Sequence, residues 1–165
     1  MKDLGTLRYF LRIEVAYSQR GYLLSQSKYI ANILENAHIF YTRIIDSLLE
    51  LNVKYAPSDG VPLEDPTLYR TLVGSLVYLT INRPDIAYAV HVVGQFVVSP
   101  TIVHWAAVLR ILRYLRGTQF HSILLPSSSS LKLRAYSDAD WAGDPTNRKS
   151  TTWYLSWRFS YFLEE

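Results

Sequence analysis

The sequence predicts an α+β fold, and three patterns support this prediction. Residues 7–17 and 21–25 are rich in β-forming side chains and flank a short polar turn, which is typical of a β-hairpin. Between residues 65 and 117, apolar residues recur at helical spacing. Residues 119–125 and 131–135 indicate two further strands. We therefore expect an N-terminal β-hairpin, a three-helix core and C-terminal antiparallel strands.

The composition permits a folded core and a nucleic-acid partner. Apolar residues make up 49% of the 165 residues, and the formal net charge is +3 with a pI near 9.1. The chain has no Cys, which excludes disulfides and thiolate metal sites. Neither a signal peptide nor a long uncharged apolar run is visible, so we expect an intracellular chain without a membrane partner, in a compartment that the sequence does not reveal.

Small-molecule chemistry has no recognisable motif in this sequence. There is no glycine-rich phosphate loop and no Ser/His/Asp arrangement. The four His residues are scattered without the spacing of metal ligands, so we expect none of them to be catalytic. We therefore expect no small-molecule substrate and no cofactor for the chain alone.

The segment between the hairpin and the three helices predicts two short elements. Residues 26–35 carry Tyr29, Ile30, Ile33 and Leu34 at helical spacing, after Ser25 or Ser27 as a possible N-cap. Residues 44–51 are consistent with a helix or an apolar strand, and we favour a short helix. A turn follows at residues 57–60.

Three helices are predicted between residues 65 and 117. The first opens with Asp65 as N-cap and Pro66 at the first position. The second, residues 86–98, is apolar nearly all round and should be the buried central helix. In the third, residues 102–116, the side chains expected to face inward are Trp105, Val108, Leu109, Leu112 and Leu115. The residues expected in the common core are Leu72, Leu76, Ile86, Val90, Val93, Leu109 and Leu112.

Two helix faces are candidates for nucleic-acid contact. Arg70, Gly74 and Tyr78 are spaced four residues apart on the first helix and share one face. A glycine there permits close approach of either a nucleic-acid backbone or another helix, and both interpretations stay open. On the third helix, Arg110 and Arg113 project outward, either towards phosphates or simply into solvent.

Three carboxylates, Asp138, Asp140 and Asp144, cluster where the last predicted strand ends. Hard divalent cations prefer oxygen ligands held on a rigid element, so Asp138 and Asp140 are candidate metal ligands. A solvated acidic turn would give the same pattern, and the spacing alone does not separate the two interpretations.

Longer motifs around these residues carry a family resemblance. The sequence Tyr-Ser-Asp-Ala-Asp-Trp-Ala-Gly-Asp-Pro at residues 136–145, followed by Asn-Arg-Lys-Ser-Thr at 147–151, resembles the start of the RNase H domain in copia-type retrotransposon Pol polyproteins. The resemblance implies that Asp138 matches the first metal-binding carboxylate of that domain. In the parent family two Mg²⁺ ions cut the RNA strand of an RNA–DNA hybrid at this site.

The same family accounts for the earlier segments. The run Tyr-Arg-Thr-Leu-Val-Gly-Ser-Leu-Val-Tyr at residues 69–78 is similar to the reverse transcriptase thumb helix that lies along the template–primer duplex. Residues 1–15 resemble the hairpin that grips the primer end, where the family usually has Gly in place of Arg12. The resemblance implies three parts: a primer-grip-like part in residues 1–62, a thumb-like unit in 63–118 and truncated RNase H-like strands in 119–165.

The departures from the family imply a non-catalytic chain. After residue 149 the sequence leaves the family pattern, so the later RNase H carboxylates have no counterpart, and no Tyr-x-Asp-Asp polymerase motif occurs. Three hypotheses follow: an inactive fragment of a polyprotein that performs RNA-directed DNA synthesis, a nucleic-acid-binding module that uses Arg70, Gly74, Tyr78, Arg110 and Arg113, or an active RNase H. The incomplete carboxylate set argues against the third.

Overall fold

Strands at both ends of the chain share one sheet beside a helical core. The computed structural model describes residues 7–39, 43–50, 53, 55–128, 134–139, 152–157 and 162–164, and for the last three ranges it describes the backbone alone. Five of the described strands form one antiparallel sheet, and two others form a separate antiparallel pair. The predicted α+β class is confirmed.

The first predicted strand is divided into two by a tight turn. β1 (Tyr9–Phe10) and β2 (Ile13–Ser18) pair antiparallel, with Phe10 opposite Ile13. Between them Leu11 and Arg12 have φ angles of 46° and 63°, the sign pattern of a type I′ hairpin turn. Left-handed backbone is unfavourable for residues other than glycine, so the turn gives a conformational reason for the glycine that the family usually carries at Arg12.

The C-terminal strand β4 (Ser122–Pro126) pairs with β3 (Gly21–Ser25), the second strand of the β2–β3 hairpin. A Cβ on Gly21, whose φ is 142°, would lie 2.0 Å from the Leu125 carbonyl oxygen. The sheet therefore requires glycine at this position. The strand predicted in residues 119–125 thus forms, and it completes the N-terminal sheet.

The remaining strands are short. β7 (Phe162–Glu164) extends the five-stranded sheet from β4. β5 (Arg134–Ala139) and β6 (Thr152–Trp157) form the two-stranded antiparallel pair.

Four α-helices contribute to one apolar core in the described part of the chain. They are α1 (Ser27–Asn36), α2 (Thr67–Leu79), α3 (Ala87–Gly94), which follows a 3₁₀ turn at Pro84–Ile86, and α4 (Ile102–Gly117). The predicted unit of three helices is therefore extended by α1. The α1 side chains buried in it are the four that were predicted, Tyr29, Ile30, Ile33 and Leu34.

The predicted core is largely confirmed in α2 and α4. Six of the seven predicted core residues are buried, and Leu109 is partly buried against the same cluster. On α4 the buried stripe includes Ile111, whereas Trp105 and Leu109 lie at its border. The predicted inward-facing stripe on α4 therefore overlaps the buried face but is rotated slightly around the helix axis from its centre.

The prediction for the second helix was wrong in length and burial. α3 ends at Gly94, four residues before the predicted end. Tyr88 is 62% exposed and Val98 is 82% exposed. Because α3 packs against α2 and α4 on one side, its other side stays open although its residues there are apolar.

The short helix predicted at residues 44–51 is absent from the described residues 43–50. Leu48 and Leu49 nevertheless pack against the helical core. The Ser47 carbonyl accepts a hydrogen bond from Arg110 Nε at 3.2 Å. Tertiary contacts thus hold this segment in place without helical hydrogen bonds.

None of the helices in the described part of the chain combines the length and apolar character that a bilayer crossing requires.

Candidate nucleic-acid interface

Gly74 lies in the middle of α2 on an open surface. Apart from its two chain neighbours and the surrounding backbone of α2, no described atom lies within 4 Å of a Cβ built on this glycine. The alternative in which Gly74 accommodates a closely packed helix therefore has no support among the described residues. An interior glycine costs a helix about 0.5–1 kcal/mol relative to alanine, and packing among the described residues gives no compensation for that cost.

Apolar side chains surround Gly74. A shallow groove lies beside it. The groove is lined by Val73 and Val77 on α2, by Gly94 at the end of α3, and by Val97 and Val98 in the turn that follows α3. Val77 is 53% exposed. We call this surface, Gly74 with the groove beside it, the α2 face. It offers helix backbone and aliphatic side chains to a partner, with few charges.

Arg70 lies at the N-terminal end of the α2 face and is tied to the backbone after α3. Its Nε donates to the Val97 carbonyl at 2.8 Å, and its Nη2 donates to the Val98 carbonyl at 3.0 Å. These hydrogen bonds fix the turn that carries the half-buried Val97 and the exposed Val98. The guanidinium remains exposed, so its charge stays at the edge of the α2 face.

Tyr78 lies at the other end and contacts the β1–β2 turn. Its hydroxyl donates a hydrogen bond to the Leu11 carbonyl, and its ring meets the Tyr29 ring edge-on at 5.5 Å between centroids. The Arg12 guanidinium lies 4.8 Å from the centroid of the Tyr29 ring. Arg70 and Tyr78 thus position two loops, one on either side of Gly74.

The α4 arginines are less available than the sequence suggested. Arg110 donates to the Ser47 side chain at 2.7 Å and lies 3.4 Å from a Glu50 carboxylate oxygen. Arg113 is half-buried, and its buried Nε has no hydrogen-bond partner among the described residues. The predicted cationic stripe is therefore engaged in part within the chain.

The candidate metal ligands are only partly described. Asp138 lies in β5 and is paired with Trp153 of β6, whereas Asp140 lies outside the described residues. Among the described residues, no three His, Asp or Glu side chains come together in a way that could hold a metal ion.

Sequence reasoning missed a buried ionic cluster that lies between the α2–α3 connection and the end of α4. Arg83, which is 1% exposed, donates to both Asp85 carboxylate oxygens and to the Thr118 carbonyl and hydroxyl, at 2.7 to 2.9 Å. The Tyr114 hydroxyl donates to Asp85 at 2.9 Å. Burial raises the pKa of Asp85, but the hydrogen bonds and charge of Arg83 outweigh it and hold the pKa below its ordinary value. In the sequence, the Arg-Pro-Asp run at residues 83–85 indicates a break between two helices and does not indicate a buried ion pair.

His104, one of the four histidines without the spacing of metal ligands, is fully buried. Its ring stacks on Phe96 at 3.8 Å between centroids, and its Nδ1 accepts from the Thr101 backbone N–H at 3.1 Å. The other ring nitrogen lies 3.2 Å from the Ala56 carbonyl oxygen. Burial lowers the pKa of His104. The residue is a neutral structural cap for α4, and Thr101 followed three residues later by a polar side chain was the signal that could have found it.

The described residues thus form an α+β protein whose helical core presents an open helix face at Gly74. The chain is 44% identical over 155 residues to the Retrovirus-related Pol polyprotein from transposon RE1 of Arabidopsis thaliana. It is 40% identical over 166 residues to the Retrovirus-related Pol polyprotein from transposon TNT 1-94 of Nicotiana tabacum. Each alignment covers 94% of this chain but only 11% and 12% of the respective relative. Over 94% of its length the chain is homologous to copia-type retrotransposon Pol polyproteins, and it spans only about a ninth of the length of these relatives.

A short relative matches part of the same region. An uncharacterized mitochondrial protein of Arabidopsis thaliana is 37% identical over 87 residues, which cover 53% of this chain and 78% of that protein. No protein-family model and no solved structure matches the chain.

Proposed function

We propose that this chain is the thumb-like and connecting part of a copia-type reverse transcriptase with the first strands of its RNase H domain. In this proposal the chain binds a nucleic-acid duplex through the α2 face and performs no catalysis alone. The observation that carries the proposal is the open surface at Gly74, where the backbone of a buried-core helix is accessible to a partner.

The chemistry of the α2 face suits the sugar edges of a duplex. Backbone at Gly74 can approach closely because no side chain intervenes. Val77 and Val98 supply aliphatic contact, and the exposed Arg70 charge at the rim lies where a phosphate would pass. Arg70 and Tyr78 also hold the flanking loops through backbone carbonyls, so the face is largely preformed.

The charge distribution predicts weak, sequence-independent binding. The net charge is +3, and Arg110 already lies near Glu50. Few phosphate contacts are therefore available, and each contact that forms releases counterions. Affinity for a duplex should consequently fall steeply as the salt concentration rises.

Mg²⁺, which the parent family uses, does not find a complete site in the described residues. Asp138 is the one carboxylate at a position that matches the family motif. A hydrated Mg²⁺ needs more anchors than one carboxylate or the phosphates of a substrate.

The test is fluorescence anisotropy with a labelled blunt RNA–DNA hybrid across a salt series. Replacement of Gly74 by Leu should weaken binding about tenfold, which corresponds to ~1.4 kcal/mol, because the new side chain holds the duplex away from the helix. The matched control is Ala106→Leu, which adds a similar side chain at an exposed position of α4. Equal affinity of the Gly74 variant and the control, or a flat salt response, would refute the α2 face as the binding surface. No binding even at low salt would favour the inactive-fragment hypothesis.

A further inference from the structure

A second concave surface runs between β1 and α1, away from the groove beside Gly74. It consists of two adjoining hollows of about 490 and 360 Å³ that share Tyr9. We call the two together the β1–α1 groove. The first hollow lies on the sheet and the second reaches Ser75, which is next to Gly74 on α2.

The first hollow combines exposed aromatic walls with a floor of small side chains. The Tyr9 side chain is 54% exposed and the Phe120 side chain is 76% exposed. Ala16 and Ser122 form part of the floor. A flat ring can enter such a space and contact an aromatic side chain face to face.

Cations surround the same hollow. Arg8 and Lys28 line it, and the Lys28 side chain is 74% exposed with its Nζ 5.8 Å from the centroid of the Tyr9 ring. The one carboxylate there, Glu14, accepts from the Ser27 hydroxyl at 2.5 Å and from the Lys28 backbone N–H at 3.3 Å. Lys28 Nζ also lies 3.4 Å from the other Glu14 carboxylate oxygen. This ion pair and the two hydrogen bonds compensate the charge of Glu14, and Arg8 is the second cation that lines the hollow.

The second hollow offers neutral hydrogen-bonding groups. Asn32 and Asn36, one helical turn apart on α1, line it opposite Ser75 of α2. Arg12 lies at its edge, over the Tyr29 ring. Amides and a hydroxyl can bind base or sugar edges, and Arg12 can bind a phosphate. Glu35 is the carboxylate at this rim. Because Lys28 is paired with Glu14, Arg8 and Arg12 are the cations of the groove that remain for a ligand.

We infer that the β1–α1 groove binds single-stranded nucleic acid. A base stacks against Tyr9 or Phe120 in the first hollow, and the strand continues past Asn32 and Asn36 towards Ser75 and the α2 face. The inference rests on the proposed function in one respect, namely that a duplex on the α2 face would direct its single-stranded extension into this groove. An apolar peptide would use the aromatic walls but would make no use of Arg8, Arg12 and the two amides.

The experiment compares three labelled probes: a short oligothymidylate, the blunt hybrid and the same hybrid with a single-stranded extension. Replacement of Tyr9 by Ala should weaken oligothymidylate binding at least about fivefold, the lower end of base–aromatic stacking. It should also abolish the gain that the extension gives over the blunt hybrid. Asn32→Ala, at an exposed helix position that tolerates alanine, should reduce the same gain without affecting folding.

The matched control is Tyr17→Ala. Tyr17 is 70% exposed, and it follows Ala16 in β2, so its side chain lies on the opposite side of the sheet from the groove. The inference is overturned if oligothymidylate does not bind, or if Tyr9→Ala and Tyr17→Ala have equal effects. Loss of blunt-hybrid binding in Gly74→Leu with unchanged oligothymidylate binding would support the groove. The converse result, an intact α2 face with no single-strand binding, would remove the groove alone.

Discussion

The Arg83 guanidinium donates to both carboxylate oxygens of Asp85, at 2.9 and 2.7 Å, although Pro84 alone stands between the two residues in the sequence. This bidentate pair is buried and also binds Thr118, the residue after α4. It therefore joins the connection between α2 and α3 to the end of α4, close to the start of β4. The helical core and the sheet meet at this point.

Replacement of Arg83 by Met should lower the free energy of unfolding by about 3–5 kcal/mol, because it leaves the Asp85 carboxylate buried without its cation. The double variant Arg83→Met, Asp85→Leu should be considerably more stable than the single variant, since no buried charge then remains. Urea denaturation followed by circular dichroism measures both values. A single variant as stable as the wild type would show that the pair contributes little.

The pH dependence of the same pair has a defined direction. Because the pKa of Asp85 is held below its ordinary value by Arg83, despite its burial, the pair stabilises the fold above about pH 4, the ordinary range of an Asp carboxyl. This stabilisation is lost as the pH falls through the lower pKa of the folded state. The wild type should therefore lose more stability than the double variant on acidification below pH 4, as followed by thermal unfolding.

His104 should make stability fall over a different pH range. Burial lowers its pKa in the folded state, so the unfolded chain binds the proton more readily once the pH falls below about 6.5. Protonation also removes the Nδ1 acceptor of the Thr101 N–H. Stability should decline as the pH falls through this value and level off below the folded-state pKa.

His104→Asn is the variant that isolates this effect, because Asn keeps a neutral acceptor near the Nδ1 position and does not titrate. Urea midpoints of both proteins at several pH values between about 5 and 8 give the comparison. The variant should be less stable at neutral pH, since it loses the Phe96 stacking, but its curve should be flatter. Parallel curves would assign the pH dependence to other groups.

Arg12 is expected to contribute two opposing effects. Its φ of 63° is unfavourable for a residue with a Cβ, by roughly 1–2 kcal/mol, whereas its guanidinium contributes a cation–π contact with Tyr29 of about 0.5–1 kcal/mol. Arg12→Ala loses the contact and keeps the strain, and Arg12→Gly loses both. The Gly variant should therefore be the more stable of the two by thermal unfolding, and an Ala variant of equal or greater stability would contradict the left-handed turn.

Helical periodicity was sufficient to locate α1, α2 and α4 because each buries one stripe against a common core. It failed for α3, since an apolar composition shows that a helix can be buried but not that neighbours cover all of it. It also failed at residues 44–50, where side-chain packing and the Arg110 hydrogen bonds replaced helix formation. The pairing of β3 with β4 joins segments about a hundred residues apart, and local patterns carry no information on such partners.

Local sequence patterns also account for only a part of the candidate site, because they do not show which distant residues become neighbours. Spacing identified Gly74 as exceptional on α2, because an interior glycine needs an explanation. It did not reveal that Arg70 and Tyr78 bind backbone carbonyls of distant loops. Nor did it identify Tyr9, Lys28 and Phe120 as neighbours, since these residues come together only when the sheet and α1 are assembled.

The purified chain should not cut the RNA strand of an RNA–DNA hybrid, even with excess Mg²⁺ or Mn²⁺. Catalysis of this type uses two metal ions about 3.5–4 Å apart, held by several carboxylates from separate elements. By the resemblance noted in the sequence, Asp138, in β5, is the one carboxylate expected to correspond to a metal ligand of the RNase H domain. One carboxylate holds a hydrated Mg²⁺ only loosely.

The measurement is a gel assay of a labelled hybrid with the wild type and with Asp138→Asn, prepared in parallel so that a contaminating nuclease appears equally in both. We expect identical, background cleavage. Cleavage that disappears only in Asp138→Asn would show that the chain assembles a working site from other carboxylates. Asp140 and Asp144 would then be the next residues to replace, because they follow Asp138 most closely in the sequence.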